Sequence, residues 1–359
     1  MIWRPTLEEL REYKDSKALN SHYLTDVVMK GKSLGYTGNS STIGDLVDIY
    51  LTLPDLVSEI FTVFTGTAPS EKVIDFLTDA MVYLAERKSL TAVMKDHEEV
   101  ILKQAGFAGF DQKKKPEVLF ANLLAKAQDW WRFTVEAIGK TVVLERDRSF
   151  AAEIEKATKR HDATSVYFPD YEIPGRDLYY QKPIYFEIPV DDFKCVECKA
   201  LPDLVIVSHT KRKIIHKEIK TVFDCTNEII LEQLKKYSYV DQVSFYEEAL
   251  RSEYATLIAA GYEIESEILF ISKNLNAFRP VFVPMTKDML DWSKYGGAIE
   301  GRHYNFDNHT MRTLKDVKGW LHYVKVYKKT MSTATANTFN DQFQTNYISP
   351  AEVQAAYFN

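Results

Sequence analysis

The hydrophobic pattern in the first half of the chain is mainly helical. Apolar residues recur at spacings of three and four, for example at Val73, Leu77 and Met81, which places them on one face of an α-helix. A capping box at Thr6 to Glu9 marks the start of a further short helix. The pattern therefore predicts a mainly helical part over residues 1–140, with long helices at residues 55–64, 70–87, 90–104 and 117–138.

One upstream helix carries an isolated carboxylate. This helix is apolar on one side, at Leu46 and Val47. Asp48 comes directly after them, although aspartate is an indifferent helix former and is costly to bury without a partner. Two interpretations of Asp48 remain open, a residue at the edge of the core and a ligand of a bound cation.

The second half of the chain contains a pattern typical of a β-hairpin. Two apolar runs at residues 204–207 and 214–215 are rich in β-branched side chains, and polar residues at 208–213 separate them. If Val207 faces Ile214 across the turn, the register of the whole hairpin follows from that pair.

This register predicts a cluster of charged side chains where the hairpin strands part. Asp203 would lie directly opposite Glu218, and the pleat would place Lys220 on the same face of the sheet. Two carboxylates about 5 Å apart repel each other, so the arrangement favours a cation between them. A hard divalent ion, a water and an ammonium group together can cleave a phosphodiester. The alternative is an exposed polar face without chemistry.

Beyond the hairpin the pattern alternates between helices and strands. It predicts a helical region at residues 227–260, strands at 263–272 and 279–285, and a helix capped by Thr286. Residues 141–330 would form one sheet-containing core that ends in a basic helical segment. Residues 331–359 are rich in Thr, Asn and Gln, which predicts a flexible tail or a docking segment.

Composition limits the classes of protein that fit. The 359 residues are 45% hydrophobic and 27% charged, as in an ordinary globular protein. A formal net charge of −6 argues against a protein that coats DNA, where basic surfaces supply most of the affinity. Three cysteines favour reduced thiols over a disulfide scaffold. Without a membrane-length apolar run or a signal peptide, we expect a cytoplasmic protein, in the host cytoplasm if it is viral.

The hairpin residues resemble a nuclease signature. Pro202-Asp203 followed by Glu218-Ile219-Lys220 is similar to the PD-(D/E)xK motif of the nuclease superfamily of that name. The resemblance covers roughly residues 20–50 and 178–285. It implies an α/β fold with a central mixed β-sheet of restriction-endonuclease-like type, flanked by helices, with a large helical part before it.

Two further motifs resemble the RecB and lambda-exonuclease-like branch of this superfamily. Gln242 and Tyr246 match its Q-x-x-x-Y helix, and their flanking residues resemble it better than those of a second match at Gln233. The segment from Gly44 to Asp48 occupies the place of the G-x-x-x-H helix, with an aspartate where the branch has histidine. The identity of the third metal ligand is therefore open.

The resemblance implies a role for each residue of the site. Mg²⁺, for which Mn²⁺ would substitute, would be held by carboxylates and one backbone carbonyl, and a lysine would position the attacking water. The implied metal ligands are Asp48, Asp203, Glu218 and the carbonyl of Ile219, with Lys220 as the catalytic lysine. The implied DNA-binding residues are Gln242, Tyr246, Lys30 and Lys32.

The function implied in this way is hydrolysis of DNA. The expected activity is that of an exonuclease acting on duplex ends in recombination or repair, as in phage or bacterial recombination systems. The alternatives are a structure-selective or restriction-type endonuclease and a non-catalytic DNA-binding protein on a nuclease-like fold. DNA is the expected partner, a membrane is not, and a single-strand annealing or other recombination protein and a homo-oligomer remain open.

Overall fold

A computed structural model of the chain describes residues 1–24, 42–70, 128–137, 139–191, 194–296 and 319–325, with Val73, Lys115 and Val118. The described residues form two compact units. One contains those of Met1–Val57 and Phe150–Thr338, and the other those of Ser58–Ser149. Apart from Ser70 and Val73, the helices predicted at residues 70–87 and 90–104 and the tail at 331–359 lie outside the described residues. The domain boundary at residue 140 stays a prediction.

The described residues contain ten strands in three sheets. In chain order they are β1 (Ile2–Trp3), β2 (Phe61–Phe64), β3 (Thr141–Leu144), β4 (Arg176–Tyr180), β5 (Ile184–Asp191), β6 (Lys194–Ala200), β7 (Leu204–Ser208), β8 (Lys213–Val222), β9 (Glu263–Ser272) and β10 (Val281–Met285).

The described residues also contain ten α-helices. They are α1 (Leu7–Asp15), α2 (Thr42–Thr52), α3 (Val57–Ile60), α4 (Gln128–Glu136), α5 (Glu145–Arg160), α6 (Asp162–Ser165), α7 (Asn227–Tyr237), α8 (Tyr239–Glu253), α9 (Ala255–Ala259) and α10 (Lys287–Tyr295). Residues 320–325 form a further helical segment. Among these described helices, none combines the length and the apolar character needed to cross a bilayer.

The first unit is built on a six-stranded mixed sheet with the order β1-β4-β7-β8-β9-β10. The pairs β1–β4 and β8–β9 are parallel, and the other pairs are antiparallel. The predicted α/β class with a central mixed sheet is therefore confirmed.

The predicted hairpin register is also confirmed. Val207 pairs with Ile214 between β7 and β8, and Leu204 pairs with Lys217. The next step of this register places Asp203, just before β7, opposite Glu218. The Cβ pattern of the pleat then puts Asp203, Glu218 and Lys220 on one face of the sheet.

Helix α8 packs on that face and joins two hydrophobic clusters. Val205 and Val207 of β7 belong to one cluster, in which α8 contributes Phe245. The second cluster contains Phe270 of β9, and α8 contributes Val243 to it. The start of α8 and its middle are thereby held over neighbouring strands, close to the charged residues.

One expectation from the hydrophobic pattern is wrong. Residues 61–64 were expected to be helical but form β2, because the Phe-Thr-Val-Phe run suits a pleated surface and pairs in parallel with β3. The chain turns directly after β4. Gln181 adopts a positive φ of 44°, and β5 starts a separate two-stranded sheet with β6.

A buried lysine fixes the end of α1. Lys199 of β6 is 3% exposed, and its Nζ donates to the carbonyl oxygens of Tyr13 at 2.5 Å and Ser16 at 2.6 Å. Carbonyl groups at a helix C-terminus lack partners within the helix, so the ammonium satisfies groups that would otherwise be buried without donors.

Replacing this lysine should destabilise the fold. We expect Lys199→Met to lower the free energy of unfolding by about 2–3 kcal/mol, since it leaves buried carbonyls without donors. Urea denaturation followed by circular dichroism measures the change. The matched control is Lys213→Met, which removes an exposed ion pair with Glu265 and should cost less than about 1 kcal/mol. Equal losses in both variants would contradict the capping role.

Candidate active site

Four of the residues predicted for the site come together on one face of the six-stranded sheet. Asp203 precedes β7, and Glu218 and Lys220 lie on β8. Helix α2 packs against β8 and brings in Asp48. Glu218 is 1% exposed, and the other three side chains are half-buried. Residues more than 150 positions apart in the sequence thus form one charged cluster.

The lysine and one carboxylate of the cluster are directly bonded. Lys220 Nζ donates to Glu218 Oε1 at 2.5 Å. Asp203 is held separately, because its Oδ2 accepts the backbone N–H of Ile219 at 2.7 Å. Ile219 therefore contributes a backbone donor to the cluster, and its predicted role as a carbonyl ligand stays a prediction.

Gln181 connects the carboxylate of Asp48 to the backbone of Asp203. Its side-chain Nε2 donates to Asp48 Oδ2 at 2.7 Å and to Thr52 Oγ1 at 3.0 Å. Its backbone N–H donates to the carbonyl oxygen of Asp203 at 3.0 Å. The positive φ of Gln181 is uncommon for a residue other than glycine, and it turns the chain so that one residue can reach both α2 and the hairpin.

Burial, together with an excess of carboxyl groups over ammonium groups, sets the proton affinities of the cluster. Burial raises the pKa of Asp48 to about 7, against the attraction of Lys220. Burial and the neighbouring Glu218 raise the pKa of Asp203 well above its usual value. Burial also opposes ionisation of Glu218, but Lys220 and then His216 outweigh it and lower its pKa to about 2. The Glu218–Lys220 pair is therefore ionised at neutral pH.

Lys220 responds to the same charges in the opposite sense. Burial alone would lower its pKa, but Glu218 and Asp203 outweigh that effect and raise it. A lysine held so strongly in its charged form is a hydrogen-bond donor and not a base. It can hold a water or a phosphate oxygen, whereas a proton must be accepted elsewhere in the cluster.

Several buried polar atoms of the cluster have no hydrogen bond. Within the described ranges, Asp48 Oδ1, Glu218 Oε2 and both ring nitrogens of His216 find no such partner. His216 Nε2 lies 3.5 Å from Glu218 Oε2, which is ion-pair distance but no hydrogen bond. Buried polar atoms without partners are costly.

Unpaired carboxylate oxygens are also the donors that a hard cation prefers, and in that respect they fit a divalent ion. As the described side chains are arranged, however, no group of three or more His, Cys, Asp or Glu residues could hold a metal ion. The donor chemistry fits a metal, although the described part of the chain does not form a complete three-residue ligand set.

The predicted DNA-binding pair lies beside the cluster and is buried. Gln242 Nε2 donates to Tyr246 Oη at 3.2 Å, and the two residues are 6% and 4% exposed. The Tyr246 ring packs against His216 at 5.7 Å between centroids. Contact of this pair with DNA stays a prediction, and Lys30 and Lys32 lie outside the described residues.

Three residues of the site were not given a role from the sequence: Gln181, His216 and Tyr239. His216 could have been placed by strand alternation, because it precedes Glu218 by two residues. Tyr239, whose ring centroid lies 5.1 Å from Lys220 Nζ, depends on how α8 packs, and Gln181 depends on an unusual backbone angle. Neither leaves a signal in the local pattern.

Comparison with known proteins finds little similarity. No protein-family model matches the chain, and no curated protein matches it. Among solved structures, a "Putative exonuclease" from Eubacterium rectale is 13% identical, with a TM-score of 0.28 over 73% of this chain and 81% of the other. The protein SSO0001 is 13% identical, with a TM-score of 0.23 over 69% and 79%. Likeness at this level does not establish a shared fold.

The raised pKa of Asp48 predicts a pH-dependent stability. Between about pH 4 and pH 7 the folded chain holds a proton on Asp48 that the unfolded chain releases, so the free energy of unfolding falls as the pH rises through this window. Asp48→Asn cannot ionise and should avoid this loss. Its melting temperature should match that of the native protein near pH 4 and exceed it near pH 8.

Thermal melts from pH 4 to pH 8 in EDTA measure this difference. EDTA keeps adventitious cations from neutralising the carboxylate. The pKa of Asp203 is also raised, and its titration contributes in the same direction to both proteins. The informative quantity is therefore the difference in melting temperature between Asp48→Asn and the native protein at each pH. A gap that does not widen with pH would contradict the raised pKa of Asp48.

Proposed function

We propose that this protein is a metal-dependent deoxyribonuclease that hydrolyses phosphodiester bonds. The observation that carries the proposal is the convergence of Asp203, Glu218 and Lys220 on one sheet face, with Asp48 packed beside them. The proposal draws further support from their resemblance to the PD-(D/E)xK signature. A buried cluster with surplus carboxylates is a favourable place for a divalent cation and its phosphate substrate.

The cation would be Mg²⁺ or Mn²⁺. Asp203 and Glu218 would hold it, with Asp48 and the carbonyl of Ile219 completing the ligand set. When bound, such an ion lowers the pKa of an attacking water and stabilises charge on the phosphate. Glu218 Oε2 and Asp48 Oδ1 are suited to this role because neither oxygen is engaged in a hydrogen bond.

Side chains and backbone groups of the protein would position the water, the phosphate and the metal ligands. Lys220 would orient the attacking water or a phosphate oxygen through its N–H donors, since its raised pKa keeps it charged. Asp203 would be kept in place by the N–H of Ile219, and Asp48 by Gln181. Positioning of this kind supplies a large part of catalysis in phosphoryl chemistry.

We further propose that the substrate is the end of duplex DNA, as for an exonuclease of recombination or repair. The support is the resemblance of Gln242 and Tyr246, and of the helix around Asp48, to the RecB and lambda-exonuclease-like branch. A structure-selective or restriction-type endonuclease is the alternative within the same chemistry.

A non-catalytic DNA-binding protein is the second candidate function. Two observations favour it: the aspartate at position 48 where the branch has histidine, and the lack of a three-residue metal group among the described side chains. The intact Asp203, Glu218 and Lys220 favour the enzyme.

Asp203→Asn tests the assignment of the site. We expect it to lower Mg²⁺-dependent release of label from linear duplex DNA about a thousandfold or more, because a ligand to the cation is lost. The melting temperature should be unchanged or slightly higher, since repulsion between carboxylates is relieved. The matched control is Asp170→Asn, whose side chain is 91% exposed and which should keep full activity.

Calorimetric titration with Mn²⁺ separates the enzyme from the non-catalytic candidate. The native protein and Asp170→Asn should bind the ion at one site that Glu218→Gln lacks. If Asp203→Asn keeps its nuclease activity, Asp203 is not part of the active site. The absence of specific Mn²⁺ uptake by the native protein would favour the DNA-binding candidate.

The form of the DNA distinguishes the two nuclease activities. An end-dependent exonuclease should degrade linear duplex and leave covalently closed circles intact, because a circle presents no terminus. Gel analysis of both substrates in Mg²⁺, with separate 5′ and 3′ labels on the linear one, measures this and also gives the polarity. Cleavage of closed circles at a comparable rate would assign the protein as an endonuclease.

A further inference from the structure

Two tyrosines stack on each other at the junction of α7 and α8. Tyr237 ends α7 and Tyr239 begins α8. Their ring centroids are 5.6 Å apart, and the ring planes differ by only 20°. Residues two positions apart in a continuous helix point to nearly opposite sides, so this stacking requires a break in the helix.

Ser238 provides that break at a cost to the backbone. Its φ of 55° and ψ of 37° place it in the left-handed region, and its side chain makes no capping hydrogen bond to α8. This conformation is disfavoured for residues other than glycine. Glycine would form the same junction without strain. Strained residues concentrate at functional sites, and here the left-handed turn at Ser238 brings the two rings to the same side.

The stacked pair extends from the candidate active site, at Tyr239, to the protein surface, at Tyr237. Tyr239 is half-buried, packs on Phe270 at 6.2 Å between centroids, and lies 5.1 Å from Lys220 Nζ. Tyr237 is 46% exposed, and Lys236 Nζ lies 5.1 Å from its ring centroid. The inner ring is fixed by the core. The outer ring is partly exposed, and the exposed Lys236 side chain lies over it, so a base that stacks on Tyr237 must displace that side chain.

We propose that Tyr237 is a stacking platform for an unpaired base of the strand whose phosphate lies at Lys220. This inference rests on the proposed function and adds a preference for an unpaired nucleotide next to the site. An aromatic ring can stack on any base, and nearby lysines attract the phosphates on either side of it. Bases inside a duplex are covered on both faces by their neighbours, so only a frayed end, an overhang or a single strand could occupy the ring.

Binding of a labelled single-stranded DNA oligonucleotide tests the proposal without turnover. Fluorescence anisotropy would be measured in EDTA and again in Ca²⁺. Loss of one base–aromatic stack should weaken binding about tenfold in Tyr237→Ala, and Tyr237→Phe should bind within about twofold of the native protein. Tyr237→Leu, which is bulky but not aromatic, should behave as the alanine variant does.

The matched control is Tyr171→Ala, which removes a tyrosine that is 72% exposed elsewhere on the same unit and should leave the affinity unchanged. Melting curves confirm that each variant is folded. A 2-aminopurine base placed along the oligonucleotide adds a direct readout, since its fluorescence is quenched on stacking. The quenching at one position should disappear in Tyr237→Ala and persist in Tyr237→Phe.

The outcomes separate this proposal from the proposed function. If Tyr237→Ala binds the oligonucleotide as tightly as the native protein, the stacking platform is refuted. The nuclease proposal is not affected by that result, because the cleavage assays test it separately. If the native protein binds with Tyr237-dependent quenching but does not cleave in Mg²⁺, the platform stands and the nuclease assignment fails. A native protein that binds no oligonucleotide would refute the platform.

Discussion

The bond between Lys220 and Glu218 is the interaction on which the site depends. Three carboxyl groups lie close together in a half-buried cluster, and among the described residues one ammonium group, that of Lys220, is bonded within it. Lys220 keeps Glu218 ionised, with a pKa of about 2, whereas Asp48 and Asp203 are pushed towards protonation. This imbalance favours uptake of further positive charge, and the raised pKa values of Asp48 and Asp203 express it as a tendency to hold a proton.

The mixed sheet makes this charge arrangement possible. Antiparallel pairing of β7 and β8 places Asp203 opposite Glu218, and parallel pairing of β8 with β9 buries β8 in the middle of the sheet. The charged residues lie at the end of a face whose remainder is apolar and covered by α8. Packing of that helix thus stabilises the sheet and lowers the polarity around the carboxylates, and this low polarity raises the pKa of two of them.

Two residues next to the charged cluster have a strained backbone conformation. Gln181 and Ser238 both have positive φ angles, and each one directs a contact of the site. Gln181 reaches Asp48 and Asp203, and Ser238 allows Tyr239 to approach Lys220 while Tyr237 stacks behind it. The surrounding packing compensates for the cost of these conformations, and the pattern is typical of a region that is organised around binding.

Local pattern in the sequence was sufficient for the parts of the fold that are governed by short-range rules. Strand alternation determined the hairpin and its register, and therefore the pairing of Asp203 with Glu218 and the position of Lys220. The capping box at Thr6, the cap at Thr286 and the helical periodicity located α1, α10, α2 and the helical region that contains α7, α8 and α9. The tertiary structure decided the rest: the pairing that makes Phe61–Phe64 a strand, the approach of α2 that brings Asp48 to β8, and the turn at Gln181. These features depend on contacts between distant segments and on backbone angles that no local pattern encodes. They determine which carboxylates share one buried space, and hence which of them can be charged.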